Sequence, residues 1–250
     1  MDVVQALGID IGGSGIKGAP VDLTSGALVG DRHRIPTPAV SSPDAVLGIV
    51  RDVVAFHDWH GPVGVTLPSV VIDGHVLSAA NIDKRWIGFD ARSALEDALG
   101  ERVAVVNDAD AAGLAEVRYG AARGRSGVCL VLTFGTGIGS AIINDGVLVP
   151  NSELGHLEFK GTEAELYAAG RLVKRDLNDM DWWIERVNEL LQYLELILNP
   201  RTIVFGGGIS KRFDSIAPHL TTRATVVRAE LLNNAGIVGA AMAAAEWTHQ

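Results

Sequence analysis

The sequence predicts an α/β protein of two lobes about a central cleft, on three observations. Apolar strands alternate with amphipathic helices, and several strands run into glycine-rich bends. One such unit, "LGIDIGGSGIKGAPVDLTSGALV" at residues 7–29, is echoed in architecture by "GVCLVLTFGTGIGSAIINDGVLV" at residues 127–149. The separation, about 120 residues, is too long for a solenoid repeat and fits one copy per lobe. The expected division is a small lobe over residues 1–106, completed by a C-terminal helix at 236–250, and a large lobe over 107–235.

The elements follow in order. "ALGIDIG" is a strand ending near a carboxylate, and "GAPVDLTSGALV" is a second strand turned at "TSG". Ser42 suits a helix cap and Pro43 the first helical position, with Val46, Leu47, Val50 and Val54 recurring at helical spacing. "PVGVTLP" is a strand, and "VVIDGHVLS" a hairpin about Asp73-Gly74. "FDARSALEDALG" is a short helix capped by Asp90 and stopped by Gly100. "RVAVVND" is a strand and "ADAAGLAEVRYG" the helix after it. The second glycine-rich unit bends at Gly135-Thr136-Gly137 and again at Asp145-Gly146. Helices are expected over about 162–175 and 181–198, the second long, apolar and ended before Pro200. That helix is read either as core or as a subunit face. "RTIVFGGGIS" is a strand entering glycines, and "NAGIVGAAMAAAEW" a helix of small residues.

Bulk properties narrow the function. The 250 residues are 48% hydrophobic and 20% charged, the balance of a globular enzyme. A formal charge of −9 argues against general nucleic-acid binding, which needs clustered Lys and Arg. No apolar run approaches a membrane span, and "MDVVQALGID" lacks the pattern of a secretory signal, so a cytoplasmic setting is expected. The single cysteine, Cys129, excludes an internal disulfide or a multi-cysteine metal site and reads as a small buried hydrophobe.

Three glycine-rich bends stand out: Gly12–Gly15, Gly135–Gly139 and Gly206–Gly208. Glycine lets backbone N–H groups approach an anion. Repeated hydroxyls at Ser14, Thr133 and Thr136 go beyond what turn geometry needs, so the first two bends read as phosphate sites. Asn107 and Asp108 stand where a strand meets a helix. Asp108 or Asp110 suits a helix cap, and Asp108 equally suits a base taking a proton from a substrate hydroxyl. Glu153, His156 and Glu158 form a polar loop whose carboxylates and imidazole match vicinal sugar hydroxyls.

With these residues in view, the chain resembles the ROK family of sugar kinases and sugar-responsive repressors, and most of all its polyphosphate-using glucokinase branch. "GIDIGGSGIKG", "TLPSVV", "AANIDKRWIG", "NDADAAGLAEVRYGA", "LTFGTGIGSAI", "PNSELGHLE", "GGGIS" and "NAGIVGAAMA" carry the resemblance over almost the whole length. It implies the actin-like, hexokinase-like (ribonuclease H-like) fold. It implies Asp108 as the base that activates the sugar 6-hydroxyl. Asn81, Asn107, Glu153, His156 and Glu165 match sugar contacts. Asp10, Gly12, Gly13, Ser14 and Lys17 match a first phosphate loop, and Thr133, Gly135, Thr136 and Gly137 a second. Gly206, Gly207 and Gly208 match a turn against the nucleoside when ATP is the donor. Many relatives carry a cysteine-rich zinc loop after the motif "ELGH"; here "LEFKGTEAEL" replaces it, so no structural zinc is expected. Ser69 stands where Gly or Ala is usual.

The implied reaction is phosphoryl transfer from inorganic polyphosphate, with ATP as second donor, to glucose, with mannose as second sugar. Mg²⁺ is the implied metal, with Asp10 a ligand through water, and a homodimer the implied assembly. Lys84, Arg85, Arg118, Arg123 and Arg125 are candidate cations for the polyanion. The rivals are an ATP-only kinase for glucose, mannose, fructose or an amino sugar, and a sugar-sensing regulator. The retained Asp108 speaks against the regulator, as does a first strand motif placed too early for a preceding DNA-binding domain.

Overall fold

The computed structural model describes residues 4–80, 82–175 and 180–247. It divides into two compact units, one from the described residues of Met1–Ala115 and Asn234–Gln250, the other from those of Glu116–Asn233. Among the described residues no helix is long and apolar enough to cross a membrane.

In the first unit, β1 (Gln5–Gly12) and β2 (Gly15–Asp22) form an antiparallel hairpin whose register closes with Gly12 opposite Gly15. β3 (Ala27–Leu28) and β4 (His33–Ile35) both pair with β2. α1 (Pro43–Phe56) starts as its sequence predicts, with the Ser42 hydroxyl accepting from the Ala45 N–H at 3.3 Å. β5 (Val63–Leu67) lies parallel to β1 and is buried at every position. β6 (Val71–Ile72) and β7 (His75–Val76) turn at Asp73 and Gly74, with φ of 52° and 85°. α2 (Ala91–Leu99) is capped by Asp90 and ends at Gly100. β8 (Val103–Asn107), parallel to β5, completes the order β3-β2-β1-β5-β8, and α3 (Asp108–Tyr119) follows without a break. The C-terminal helix, Ala235–Trp247, packs on β1, β5 and β8. A Cβ on Gly8 or Gly64 would stand 1.8 Å from the Ile237 or Ala240 carbonyl oxygen, so only glycine strands admit this helix.

The second unit repeats the scheme. β9 (Val128–Phe134), β10 (Ile138–Asn144) and β11 (Val147–Val149) form an antiparallel meander. A hairpin, β12 (Glu158–Phe159) and β13 (Thr162–Glu163), precedes two short helices, α4 (Ala164–Ala168) and α5 (Arg171–Arg175). This corrects the single helix expected over about 162–175. Lys160 and Gly161, at φ of 54° and 78°, turn a hairpin instead. Ala169 is extended, and Gly170 presses against the Phe134 carbonyl, where a Cβ would stand at 2.8 Å. α6 (Met180–Leu198) buries Trp183, Ile184, Val187, Leu190, Leu191 and Leu194 within its unit, so it is chiefly core; Leu196 and Ile197 remain exposed. β14 (Thr202–Gly206), α7 (Phe213–Ile216) and β15 (Thr225–Arg228) follow. β14 and β15 extend the sheet in parallel, giving β11-β10-β9-β14-β15. Phe134 stacks on Phe205 at 4.7 Å and meets Trp183 edge-on at 5.6 Å, forming the aromatic centre of this core.

Candidate active site

The first unit gathers its polar residues at the ends of β1, β5 and β8. Asp10 and Lys17 face each other in the β1–β2 register, and their side chains pair at 2.7 Å. The other Asp10 oxygen accepts from the Thr66 hydroxyl at 3.0 Å, which itself accepts from the Ile11 N–H at 3.2 Å. Gly236, in the first turn of the C-terminal helix, lies against this carboxylate, whose charge the helix N-terminus favours. Beyond Asp10 the chain turns through Gly13 and Ser14, between Gly12 and Gly15, and the Thr37 hydroxyl donates to the Gly12 carbonyl at 2.5 Å.

Asn107 joins β8 to α3. Its Oδ1 accepts from the Ala109 and Asp110 N–H groups at 2.8 and 3.0 Å, and its Nδ2 donates to the Ser69 carbonyl at 3.1 Å. The cap expected from Asp108 or Asp110 is thus supplied by Asn107. Asp108 occupies the first helical position and is half-buried. The Ser69 hydroxyl is buried and has no hydrogen-bond partner among the described residues. Asn81 lies outside the described residues.

In the second unit the bend at Gly135, Thr136 and Gly137 joins β9 to β10, closed by a Gly135 N–H to Gly137 carbonyl bond of 3.0 Å. Thr133 pairs with Gly206 across the sheet; Gly207 follows at φ 79°, with Gly208 opening a 3-10 turn. Glu165 is nine-tenths buried against the bend. Its carboxylate lies where a Cβ on Gly137 would meet it at 2.2 Å, and it accepts from the Ile138 N–H at 3.4 Å. Ser140 fixes the loop bearing Glu153: its hydroxyl donates to the Ser152 carbonyl at 2.5 Å and accepts from the Leu154 N–H at 2.9 Å. His156, one turn further, holds the Glu163 carboxylate through Nδ1 at 3.0 Å. That hydrogen bond, before any other influence, raises the imidazole pKa, and the charges of Glu165 and Glu153 act in the same direction. His156, Glu163 and Glu165 offer ligand atoms within 4.8 Å of one another, a group that could close on a metal ion.

The expected cations are partly occupied. Lys84 Nζ donates to the Ala79 carbonyl at 2.5 Å. Arg85 forks onto Asp83 at 2.8 and 3.0 Å, and this hydrogen bonding holds the Asp83 carboxyl down at about 2. Arg118 lies 6.0 Å from the centre of the Tyr119 ring. Arg125 Nε donates to the Ala121 carbonyl at 2.7 Å, and Arg123 bonds the Gly120 carbonyl through its backbone N–H. The Cys129 thiol is buried, which pushes its pKa up to about 11. Sequence reasoning missed Thr66 and Glu163. Only Glu163 left a readable trace, the Lys160-Gly161 turn that folds it back toward His156.

Two sheets, each a three-stranded meander continued by two parallel strands, define the actin-like, hexokinase-like class of α/β proteins. The chain belongs to the ROK family, whose family model matches residues 6–170. A polyphosphate glucokinase of Mycobacterium tuberculosis (strain CDC 1551 / Oshkosh) is 50% identical over 251 residues, covering 98% of this chain and 93% of that one. The crystal structure of an inorganic polyphosphate/ATP-glucomannokinase from Arthrobacter sp. strain KM superposes with a TM-score of 0.94 at 47% identity, covering 98% of this chain and all of the other. A ROK family glucokinase from Streptomyces griseus shares the fold, with a TM-score of 0.79 at 24% identity over 97% of this chain and 99% of that one.

Proposed function

We propose that the protein transfers a phosphoryl group from inorganic polyphosphate to the 6-hydroxyl of glucose, with ATP as second donor and mannose as second sugar. The observation that carries this reading is 50% identity to a polyphosphate glucokinase along 98% of the chain. The name of the Arthrobacter relative motivates the second donor and second sugar.

In the proposed step, Asp108 takes the hydroxyl proton as the sugar oxygen attacks the terminal phosphorus. The bond from that phosphorus to the rest of the donor breaks, and the donor leaves one phosphate shorter. Asp108 stands at the first position of α3, where a helix N-terminus accommodates negative charge, while Asn107 serves as the cap. Asn107, Glu153, His156 and Glu165 hold sugar hydroxyls, a role Asn81 shares by resemblance. Gly12, Gly13, Ser14 and Lys17 receive phosphate in one unit, and Thr133, Gly135, Thr136 and Gly137 in the other. Gly206, Gly207 and Gly208 serve the nucleoside of ATP. Most of the acceleration comes from positioning and charge stabilisation.

The residues present fit Mg²⁺ through water. Asp10 gives one oxygen to Lys17 and the other to the Thr66 hydroxyl, leaving lone pairs for the water of a hydrated ion. When bound, the ion neutralises charge on the phosphate oxygens. We assign the enzyme to the cytoplasm, as a homodimer.

Asp108→Asn tests the assignment. Glucose 6-phosphate formation should fall by about 10²–10⁴-fold with either donor, while the glucose Kd measured by calorimetry stays near the wild-type value. Near-normal turnover would remove Asp108 from the chemistry. Wild-type protein active with ATP alone would favour the ATP-only kinase instead.

A further inference from the structure

We propose that Arg34 and Arg171 are donor-phosphate residues, each laid on the glycine-rich turn of its own unit; this rests on the phosphoryl-transfer reading above. Arg34 stands on β4, opposite Lys17 of β2. Its Nη2 donates to the Ser14 carbonyl at 2.5 Å. Its guanidinium lies against Gly15, where a Cβ would meet Nε, Cζ and Nη2 at 2.5, 2.7 and 2.7 Å. Those are the three nearest atoms to that Cβ, and the φ of Gly15 is not left-handed, so Gly15 makes room for this arginine. Arg171 opens α5. Its backbone N–H donates to the Gly135 carbonyl at 2.8 Å, and its Nη1 donates to the Thr136 carbonyl.

The parallel is close. Each turn reads glycine, hydroxyl residue, glycine: Gly13-Ser14-Gly15 and Gly135-Thr136-Gly137. In each, a guanidinium from elsewhere in the same unit takes the carbonyl of the central residue. An outward carbonyl dipole repels phosphate, so covering it with a cation reverses the local field. A guanidinium has five N–H donors in a planar fork, and one turn carbonyl engages only part of it. Among the described residues neither arginine is ion-paired, whereas Lys17, Arg85, Lys160 and Arg223 are. For a donor with no nucleoside, affinity must come from such phosphate contacts, on a chain whose formal charge is −9.

The test is steady-state kinetics of purified Arg34→Gln, Arg171→Gln, Gly15→Ala and the Arg34→Gln/Gly15→Ala double variant. Long-chain polyphosphate and Mg-ATP are the donors, between about 50 and 200 mM salt. Each arginine variant should raise the donor KM about tenfold or more, leave the glucose KM near wild type, and flatten the dependence of log KM for polyphosphate on log salt. Gly15→Ala should reproduce Arg34→Gln in the wild-type background and add nothing to it in the double variant. If Arg171→Gln fails to fold, Arg171→Lys keeps the charge without the fork and should give a smaller rise of the same kind. Active variants with unchanged donor KM or salt slope overturn the proposal, as does an equal effect of Gly15→Ala in both backgrounds. Wild-type protein inactive with both donors overturns the functional reading itself.

Discussion

His156 is surrounded by carboxylates: Glu163 holds Nδ1, while Glu165 and Glu153 add negative charge. The folded protein therefore favours the imidazolium, and the pKa lies above the ordinary 6.5. A histidine raised in this way stabilises the fold fully below its unfolded pKa, and the contribution disappears as pH rises through the folded value. Glu163→Gln should lower the urea midpoint relative to wild type at about pH 6 and leave it nearly unchanged at about pH 9. Equal losses at both pH values would show that the pair matters by packing, not by charge. At this scale the sequence was legible where chemistry is local. Ser42 and Asp90 cap the helices they precede, and Asp73-Gly74 makes the expected turn. It was silent where partners meet across folds: nothing in the string ties Thr66 to Asp10, 56 residues away, or Arg34 to Ser14, 20 residues away.

One buried carboxylate organises a junction of elements. Glu116, on α3, is 1% exposed. Its Oε2 accepts from the Ala121 and Glu230 N–H groups at 2.8 and 3.2 Å, and its Oε1 from the Leu231 N–H at 2.9 Å. The end of α3 and the segment after β15 are tied together through one side chain. Glu116→Ala strips three backbone donors of their acceptor and should cost about 3 kcal/mol in urea unfolding. A loss below about 1 kcal/mol would show that water replaces the carboxylate. Elements with strong periodicity, such as α1, α2 and α6, were readable, the first two also by their caps. The stretch from 158 to 175 was not, because its alanines and leucines suit a helix while a tight turn and the backbone of β9 break it. β15, four residues long, passed unread because so short a run carries little signal.

Across the whole chain, the echo between residues 7–29 and 127–149 was legible, and the two sheets repeat one strand path. Letters diverge while topology persists, because a meander needs only alternating apolar positions and a tolerant bend. Less visible was the role of Gly8 and Gly64, which read as ordinary small strand residues until the last helix was seen against them. That helix has a consequence for biosynthesis. During synthesis β1, β5 and β8 lack their cover until the helix at Ala235–Trp247 emerges, whereas residues 116–233 form one uninterrupted stretch able to mature earlier. A chain stopped after Asn233 should therefore be recovered with residues 116–233 protected from trypsin and the preceding part digested; wild-type resistance throughout would contradict this. A nascent chain keeps the sheet of β1, β5 and β8 bare while residues 116–234 are being made, so chaperone demand should concentrate on the stretch before residue 116.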